Sequence, residues 1–306
     1  MGLVAVAKYG GKRPADGLTG EEYGCLLTAG LELLSRGSGH KALVKKLFPS
    51  GVVGMKISCL AHQNATPPAL VDALSKILTQ AAGISENNMI IWERTSRELQ
   101  KAGYTLNASS FGRRFLGTDA VGVGYREDFD SSGKANSRVT RILTDMADHS
   151  VNMPILKDHS IAGLSAGMKN MYGAVSNPNK YHGDNCSPYA ADVNNLAPIR
   201  TKHRLTIIDA IRVQYDNGPG FDPEHLYDYG GLILSVDPVA ADRVGLEILE
   251  HVRARNKRPS LAEAGREVKY LAAAEKIGLG TADMSRIELR VTMVDRYGNV
   301  SSGSLF

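Results

Sequence analysis

The densest chemistry in the chain lies in residues 151–173, VNMPILKDHSIAGLSAGMKNMYG. Residues 151–156 have the apolar run of a strand, and Lys157-Asp158-His159 follows at its end. Side chains alternate along a strand, so continued extension puts Lys157 and His159 on one side. The small residues Gly163-Leu164-Ser165-Ala166-Gly167 come next. Small residues let backbone N–H groups approach a ligand. The helix expected over about 163–172 would begin with unpaired N–H donors, which suit an anion. Lys169 and Asn170 fall just inside it. Two lysines, a histidine and a helix start fit a carboxylate, a phosphate or an anionic cofactor. A lysine among like charges and partly buried has a lowered pKa and can serve as a base. The bland alternative is a surface lysine and a capped histidine.

Two named motifs fall on the same residues. The nucleotide P-loop fails, because Met168 separates Gly167 from Lys169 and Asn170 stands where a hydroxyl is needed. Gly163, Ser165 and Gly167 match the short Gly-x-Ser-x-Gly elbow of serine hydrolases. Asp209 with His225 or His251 would keep the required acid–histidine order, and Tyr9-Gly10-Gly11 could supply an oxyanion loop. Elsewhere, Gly122-Val123-Gly124 lacks the third glycine of a dinucleotide fingerprint, since Glu127 occupies its place. His182, in an exposed-looking turn, is a second acid/base or metal-ligand candidate. Asp209 ends the apolar strand 205–208, and Asp237 reads as the N-cap of a helix starting at Pro238.

The elements that must carry these groups alternate between strand and helix. Strands are expected at 3–8, 52–57, 89–92, 151–156, 205–208, 232–236 and 287–294. Helices are expected at 19–35, 40–48, 66–82 with Thr66 as N-cap, 191–199, 238–250 and 261–276. A polar excursion spans 103–135, with one strand at 120–125. This alternation is the pattern of an α/β fold, a mostly parallel or mixed sheet flanked by helices. Residues 1–306 form one domain, or two lobes of about 1–150 and 151–306.

Composition narrows the function classes. The chain has 306 residues, 43% hydrophobic and 22% charged, which suffices for a globular core. The formal net charge of +4 is mild, and the densest basic stretch, HVRARNKRPS at 251–260, reads as a solvated helix end. With 6% aromatic residues, a nucleic-acid partner is not expected. Cys25, Cys59 and Cys186 are isolated, so no iron–sulfur motif is encoded and buried thiols are expected, Cys186 being the most exposed-looking. No apolar run reaches a membrane span and no signal peptide is legible, so membrane insertion is not expected. The location expected is the cytoplasm, or outside it if a leader has been removed.

The string Pro154-Ile155-Leu156-Lys157-Asp158-His159, Gly163, Lys169-Asn170 and Gly173 resembles the family catalogued as domain of unknown function 362. Met55-Lys56-Ile57-Ser58, residues 205–210 and 237–243 extend the resemblance. A more distant resemblance is to nickel-pincer lactate racemases, carried by His159, Gly163, Ser165, Gly167 and Lys169. It implies an acid/base histidine at His159 and a cofactor-anchoring lysine at Lys169. The racemases' Asp-x-Thr-Arg-Pro phrase is absent, and His182 is off the spacing of their metal-binding histidine. The resulting expectation is an enzyme acting on a small anionic ligand by proton transfer, of racemase, isomerase or redox type. Lys157, His159, Lys169 and His182 would be catalytic. Ser165, Gly167, Asn170, Lys56 and Asp209 would bind the ligand. The cofactor is open: a metal or an anionic organic group. A non-catalytic binding protein, or a serine hydrolase using Ser165, are the alternatives. The oligomeric state is open.

Overall fold

The computed structural model describes residues 1–12 and 17–306. The elements run β1 (Gly2–Tyr9), α1 (Gly20–Leu34), α2 (His40–Leu47), β2 (Val53–Ile57), α3 (Pro68–Ile77), β3 (Met89–Glu93), α4 (Ser96–Lys101) and β4 (Arg114–Gly117). A small hairpin, β5 (Asp130–Ser132) and β6 (Ala135–Ser137), follows. Then come β7 (His149–Met153), β8 (Ile155–His159), β9 (Gly163–Ser165), α5 (Gly167–Asn170), α6 (Tyr189–Asn194) and α7 (Ala197–Arg200). The chain continues with β10 (His203–Gln214), β11 (Leu226–Ser235), α8 (Pro238–Arg255), α9 (Tyr270–Lys276), β12 (Ile287–Val294) and β13 (Val300–Ser302).

The main sheet has the order β13-β12-β1-β11-β10-β7-β2-β3-β4, with β8 paired to β10 and β9 to β8. Six of its pairings, including β2 with β3 and with β7, are parallel. The mixed α/β sheet flanked by helices is therefore as expected. Strands from both halves of the sequence share it: β1 lies between β11 and β12, and position 150 falls inside β7.

The core sits on both faces of the sheet. Leu26, Leu27 and Leu31 of α1 and Leu70 and Leu74 of α3 pack with Val53, Met55 and Ile57 on one face. Val244, Ile248 and Val252 of α8 pack with Val4, Val6, Leu156 and Ile208 on the other. Each of these large side chains contributes roughly 1.5–3 kcal/mol when fully buried. Local signals set the helix ends. Thr19 and Glu22 form a reciprocal capping box at α1. Asp237 accepts from the N–H groups of Val239 and Ala240 at α8, as its position predicts.

Several expected boundaries are corrected. Thr66 does not cap α3; Pro67 precedes the helix, and the Thr66 hydroxyl donates to the Met153 carbonyl and accepts from the Ser58 N–H. Residues 120–125 are turns joined to Thr140 by a single bridge at Tyr125. Pro154 divides the expected strand at 151–156 into β7 and β8, because proline has no N–H for the ladder. The expected helix at 163–172 becomes strand β9 followed by the one-turn α5. Asp209 lies inside β10, five residues before its end at Gln214.

Asp237 also accepts from the Thr281 N–H, so it ties α8 to the segment before β12. Asp237→Ala is expected to cost roughly 1–2 kcal/mol without changing the fold, measured as a lower urea midpoint with an unchanged circular dichroism spectrum.

Candidate functional site

The site begins with Asp158. Its side chain points away from the cleft into the protein, where it is fully buried. Arg266 donates to both its oxygens at 2.6 and 2.8 Å, the Gly218 N–H donates at 3.0 Å, and Arg253 stands 3.6 Å away. Burial pushes the Asp158 carboxyl up from its usual value, and Arg266 opposes that shift. Fixing Asp158 on one side of β8 turns its neighbours Lys157 and His159 to the other. The hairpin then brings Ser165 opposite Lys157, and Gly163 opposite His159. Gly163 has φ +75°, and a Cβ there would stand 2.2 Å from the Arg266 carbonyl, so this glycine of the elbow-like string is a packing requirement.

The cleft they face has a volume of about 570 Å³ and lies at the carboxyl ends of β2, β3 and β8. That is where open α/β sheets place ligands. Lys56, Lys157, His159, Ser165, Lys169, Asn170 and His182 all line it. Seven of the nine residues expected from the sequence are thus gathered in one cavity.

The two lysines nearest its floor are buried and lack an acidic partner. Lys157 Nζ donates to the Pro219 carbonyl at 2.9 Å. Lys169 Nζ lies 3.1 Å from His182 Nε2, 3.5 Å from Cys186 Sγ and 3.5 Å from the Tyr172 ring centroid. Among the described residues neither ammonium forms an ion pair with a carboxylate. Burial lowers the pKa of Lys157 to about 8 and that of Lys169 to about 8. Lys56 differs: Glu93 pairs with it at 2.6 Å, and it also donates to the Ile57 carbonyl and to Asn170 Oδ1. Its charge is already matched, so Lys56 positions Asn170, whose amide also donates to Asn152.

The two histidines have definite proton positions. His159 Nδ1 accepts the backbone N–H groups of Ile161 and Ala162 at 3.1 and 3.2 Å. The ring proton is therefore on Nε2. Burial first, then Lys169 and His182, lower the His159 pKa to about 3. His159 is thus a neutral ring with its hydrogen-bond donor at Nε2. His182 accepts from Lys169 at Nε2, while its Nδ1 faces the Asn179 carbonyl at 3.3 Å. Burial and Lys169 lower its pKa. The two rings lie 5.7 Å apart at an angle of 27°.

Two expected ligand contacts are overturned. The Gly167 and Met168 N–H groups at the start of α5 are taken by Asp242, at 2.7 and 2.9 Å. Asp242 is fully buried, and burial raises its pKa to about 7. A side chain of α8 thus occupies the place assigned to an anion, and Gly167 does not line the cleft. Asp209 lines a different cavity, accepts from the Tyr23 hydroxyl at 3.3 Å, and is raised by burial to about 6.

The hydrolase partners also fall apart. Ser165 faces the cleft, but His225 is held by Asp222 and Arg258 and His251 stacks on Phe306. Tyr9 binds Glu22 and Gly10 binds Val294, away from the cleft. Cys186 is buried, as expected of the thiols, although a polar stretch precedes it. Arg253, expected in a solvated helix end, is buried against Asp158, Asp216 and the Tyr215 carbonyl. Among the described residues no three His, Cys, Asp or Glu side chains form a metal-binding group.

Sequence reasoning missed Glu93, Tyr172, Asp242 and Arg266. Glu93 had a usable signal, since it ends an apolar strand of the same parallel sheet. Asp242 and Arg266 had none, because their partners lie 75 and 108 residues away.

The fold and cleft define a mixed α/β protein with a cationic cavity at the carboxyl ends of its strands. Residues 53–247 match the family described as a domain of unknown function (DUF362). The chain belongs to that family, and the matched stretch contains all nine catalytic and ligand-binding candidates expected from the sequence, from Lys56 to Asp209. No curated protein matches. Among solved structures, a Thermotoga maritima protein from the Northeast Structural Genomics Consortium is 12% identical, covering 91% of this chain and 88% of that one at a TM-score of 0.39. No helix among the described residues is long and apolar enough to cross a membrane.

Two predictions follow from the burial. Asp242→Ala strands two buried N–H donors and is expected to cost roughly 2–4 kcal/mol, read as a lower chemical-denaturation midpoint. Lys157 titrates near 8 when folded and near 10.5 when unfolded. Between those values the unfolded chain holds the extra proton, so stability rises with pH across that window. Below it the buried charge costs roughly 3 kcal/mol. Lys157→Met is expected to be more stable than wild type at pH 7 and to show a shallower rise toward pH 10. A variant that is less stable at pH 7 with an unchanged pH slope contradicts this.

Proposed function

We propose that the protein is an enzyme that binds a small organic anion in this cleft and moves a proton on it. Lys157 and Lys169 receive the negative charge. His159 donates from Nε2 to an oxygen that gains charge during the reaction, and being neutral it does so without giving up a full proton. Lys169 and His182 handle the transferred proton. With its pKa lowered to about 8, Lys169 binds the anion as the ammonium and releases that proton to solvent in a minor fraction of molecules at neutral pH. As the amine it then takes the proton from the ligand, while His182 Nε2 holds the hydrogen bond that orients it. Ser165 and Asn170 orient the ligand. The reaction class is proton transfer next to a carboxylate, of the isomerase or racemase kind.

The observation that supports this reading is the pair of buried ammonium groups in one cleft, neither with a carboxylate within ion-pair distance among the described residues. Burying a charge is costly without a counter-ion, and a bound anion would supply one. The same cleft could hold a ligand without turnover, and the two readings part at the chemistry.

The test begins with thermal unfolding of wild type in inorganic phosphate, acetate, lactate and malate at constant ionic strength. Some of these anions are expected to raise the melting temperature, and Lys169→Ala to lose most of the shift. Affinity should fall as pH rises through 8, because both lysines lose their charge there. Stabilising acids are then incubated in D₂O, and exchange at the carbon next to the carboxylate is followed by NMR. Exchange that requires Lys169 supports the enzyme; binding with no exchange leaves the binding-protein reading. If no anion stabilises wild type, the proposal falls.

A further inference from the structure

The cleft does not end at the two lysines. A second hollow of about 460 Å³ meets it along Arg94, Pro178 and Asn179. Thr118, Asp119, Tyr125, Ser176 and Lys180 are among its other walls. Arg94 stands at the junction, half-buried, one residue past the end of β3.

Its backbone is held from both sides. The Arg94 N–H donates to Glu93 Oε1 at 2.7 Å, and the Thr118 hydroxyl donates to the Arg94 carbonyl at 2.7 Å. The guanidinium itself has no hydrogen-bond or ion-pair partner among the described residues. The acids around it are engaged elsewhere or stand apart. Glu93 is used by Lys56 and by the Cys59 N–H. Asp119 accepts from the N–H and hydroxyl of Ser96. Glu98 lines the first cavity without pairing with Arg94. Tyr125 is committed to Thr118 at 2.9 Å. Ser176 and Asn179 also present side chains without hydrogen-bond partners among the described residues. Lys180 reaches the Asn136 carbonyl at 2.8 Å and leaves Arg94 as the unengaged cation of the junction.

We propose that the ligand is an elongated organic dianion, one anionic group resting on Lys157 and Lys169 and the second on Arg94. A guanidinium presents a planar fork of donors that suits a carboxylate or a phosphate. Ser176 and Asn179 add polar contacts on the side of the second hollow. The substrate class is therefore a dicarboxylic acid or a phosphorylated carboxylic acid. This rests on the anion-binding reading above and extends it from one charged group to two.

The experiment compares affinities by calorimetry at constant ionic strength for wild type, Arg94→Ala and Arg94→Lys. The probes are acetate, butyrate and hexanoate, the saturated dicarboxylates from malonate to adipate, and phosphoglycolate with phosphoglycerate. For wild type at least one dianion is expected to bind on the order of tenfold tighter than the monoanion of matching length. In Arg94→Ala that ratio is expected to fall to about one, with partial recovery in Arg94→Lys. The dicarboxylate and phosphate arms show which second group is preferred. If monoanions bind wild type and no dianion binds better, the two-group proposal is overturned while the anion site stands. A dianion advantage that survives in Arg94→Ala overturns it as well. If neither kind of anion binds, both readings fall together.

Discussion

The arrangement of the cleft depends on a buried ion network on the far side of β8. Asp158 is held by Arg266, Arg253 and the Gly218 N–H, and Asp216 bridges the same arginines at 3.3 Å from each. Such groups are costly to bury, and their attraction repays the cost only when every lone pair is used. Here nearly all are, so the strand end has one stable orientation. With Asp158 locked inward, period-two alternation forces Lys157 and His159 outward. The same network reaches α8 through Arg253 and the loop before α9 through Arg266. A site of a few residues is thereby fixed by segments 60 to 108 residues away.

Asp242 makes a second tie of the same kind. It satisfies the first N–H groups of α5 from the neighbouring helix α8. Lys169 is carried by that single turn, so its position beside His182 and Tyr172 follows from a carboxylate that lies outside the cleft lining. The usual reading of a small-residue helix start as an anion cradle fails here because the protein supplies its own anion.

What remains facing the cavity is an excess of positive charge at low polarity. Lys56 is neutralised by Glu93, whereas Lys157 and Lys169 are not, and burial lowers both. His159 is kept neutral by burial first and then by Lys169 and His182, and two backbone N–H groups on Nδ1 leave its proton on Nε2. In the proposed reaction these groups would divide into ammonium groups that meet the anion, a fixed neutral donor and the hydrogen-bonded Lys169–His182 pair. The division comes from environment rather than from residue type, since two lysines of one cavity have different partners and two histidines have opposite tautomers.

The local chemistry was legible in the sequence. Apolar runs marked most strands, Thr19 with Glu22 and Asp237 with Pro238 marked helix starts, and Lys157, His159, Lys169 and Asn170 were recognisable because strand alternation and short-range spacing place them together. Family membership was legible in the same phrases. Other features were decided by tertiary structure. The sequence treated Asp209 as a strand end and Gly167 as a ligand contact; β10 runs on past the first, and Asp242 covers the second. Arg253 looked like a solvated helix end and is a buried counter-ion. His159 read as an acid/base group, and which ring nitrogen carries its proton was set by two backbone N–H groups. Periodicity and capping act within a few residues, so the sequence alone carries them. Ion pairing, tautomer and burial depend on which distant segments share a site, and only the folded chain determines that.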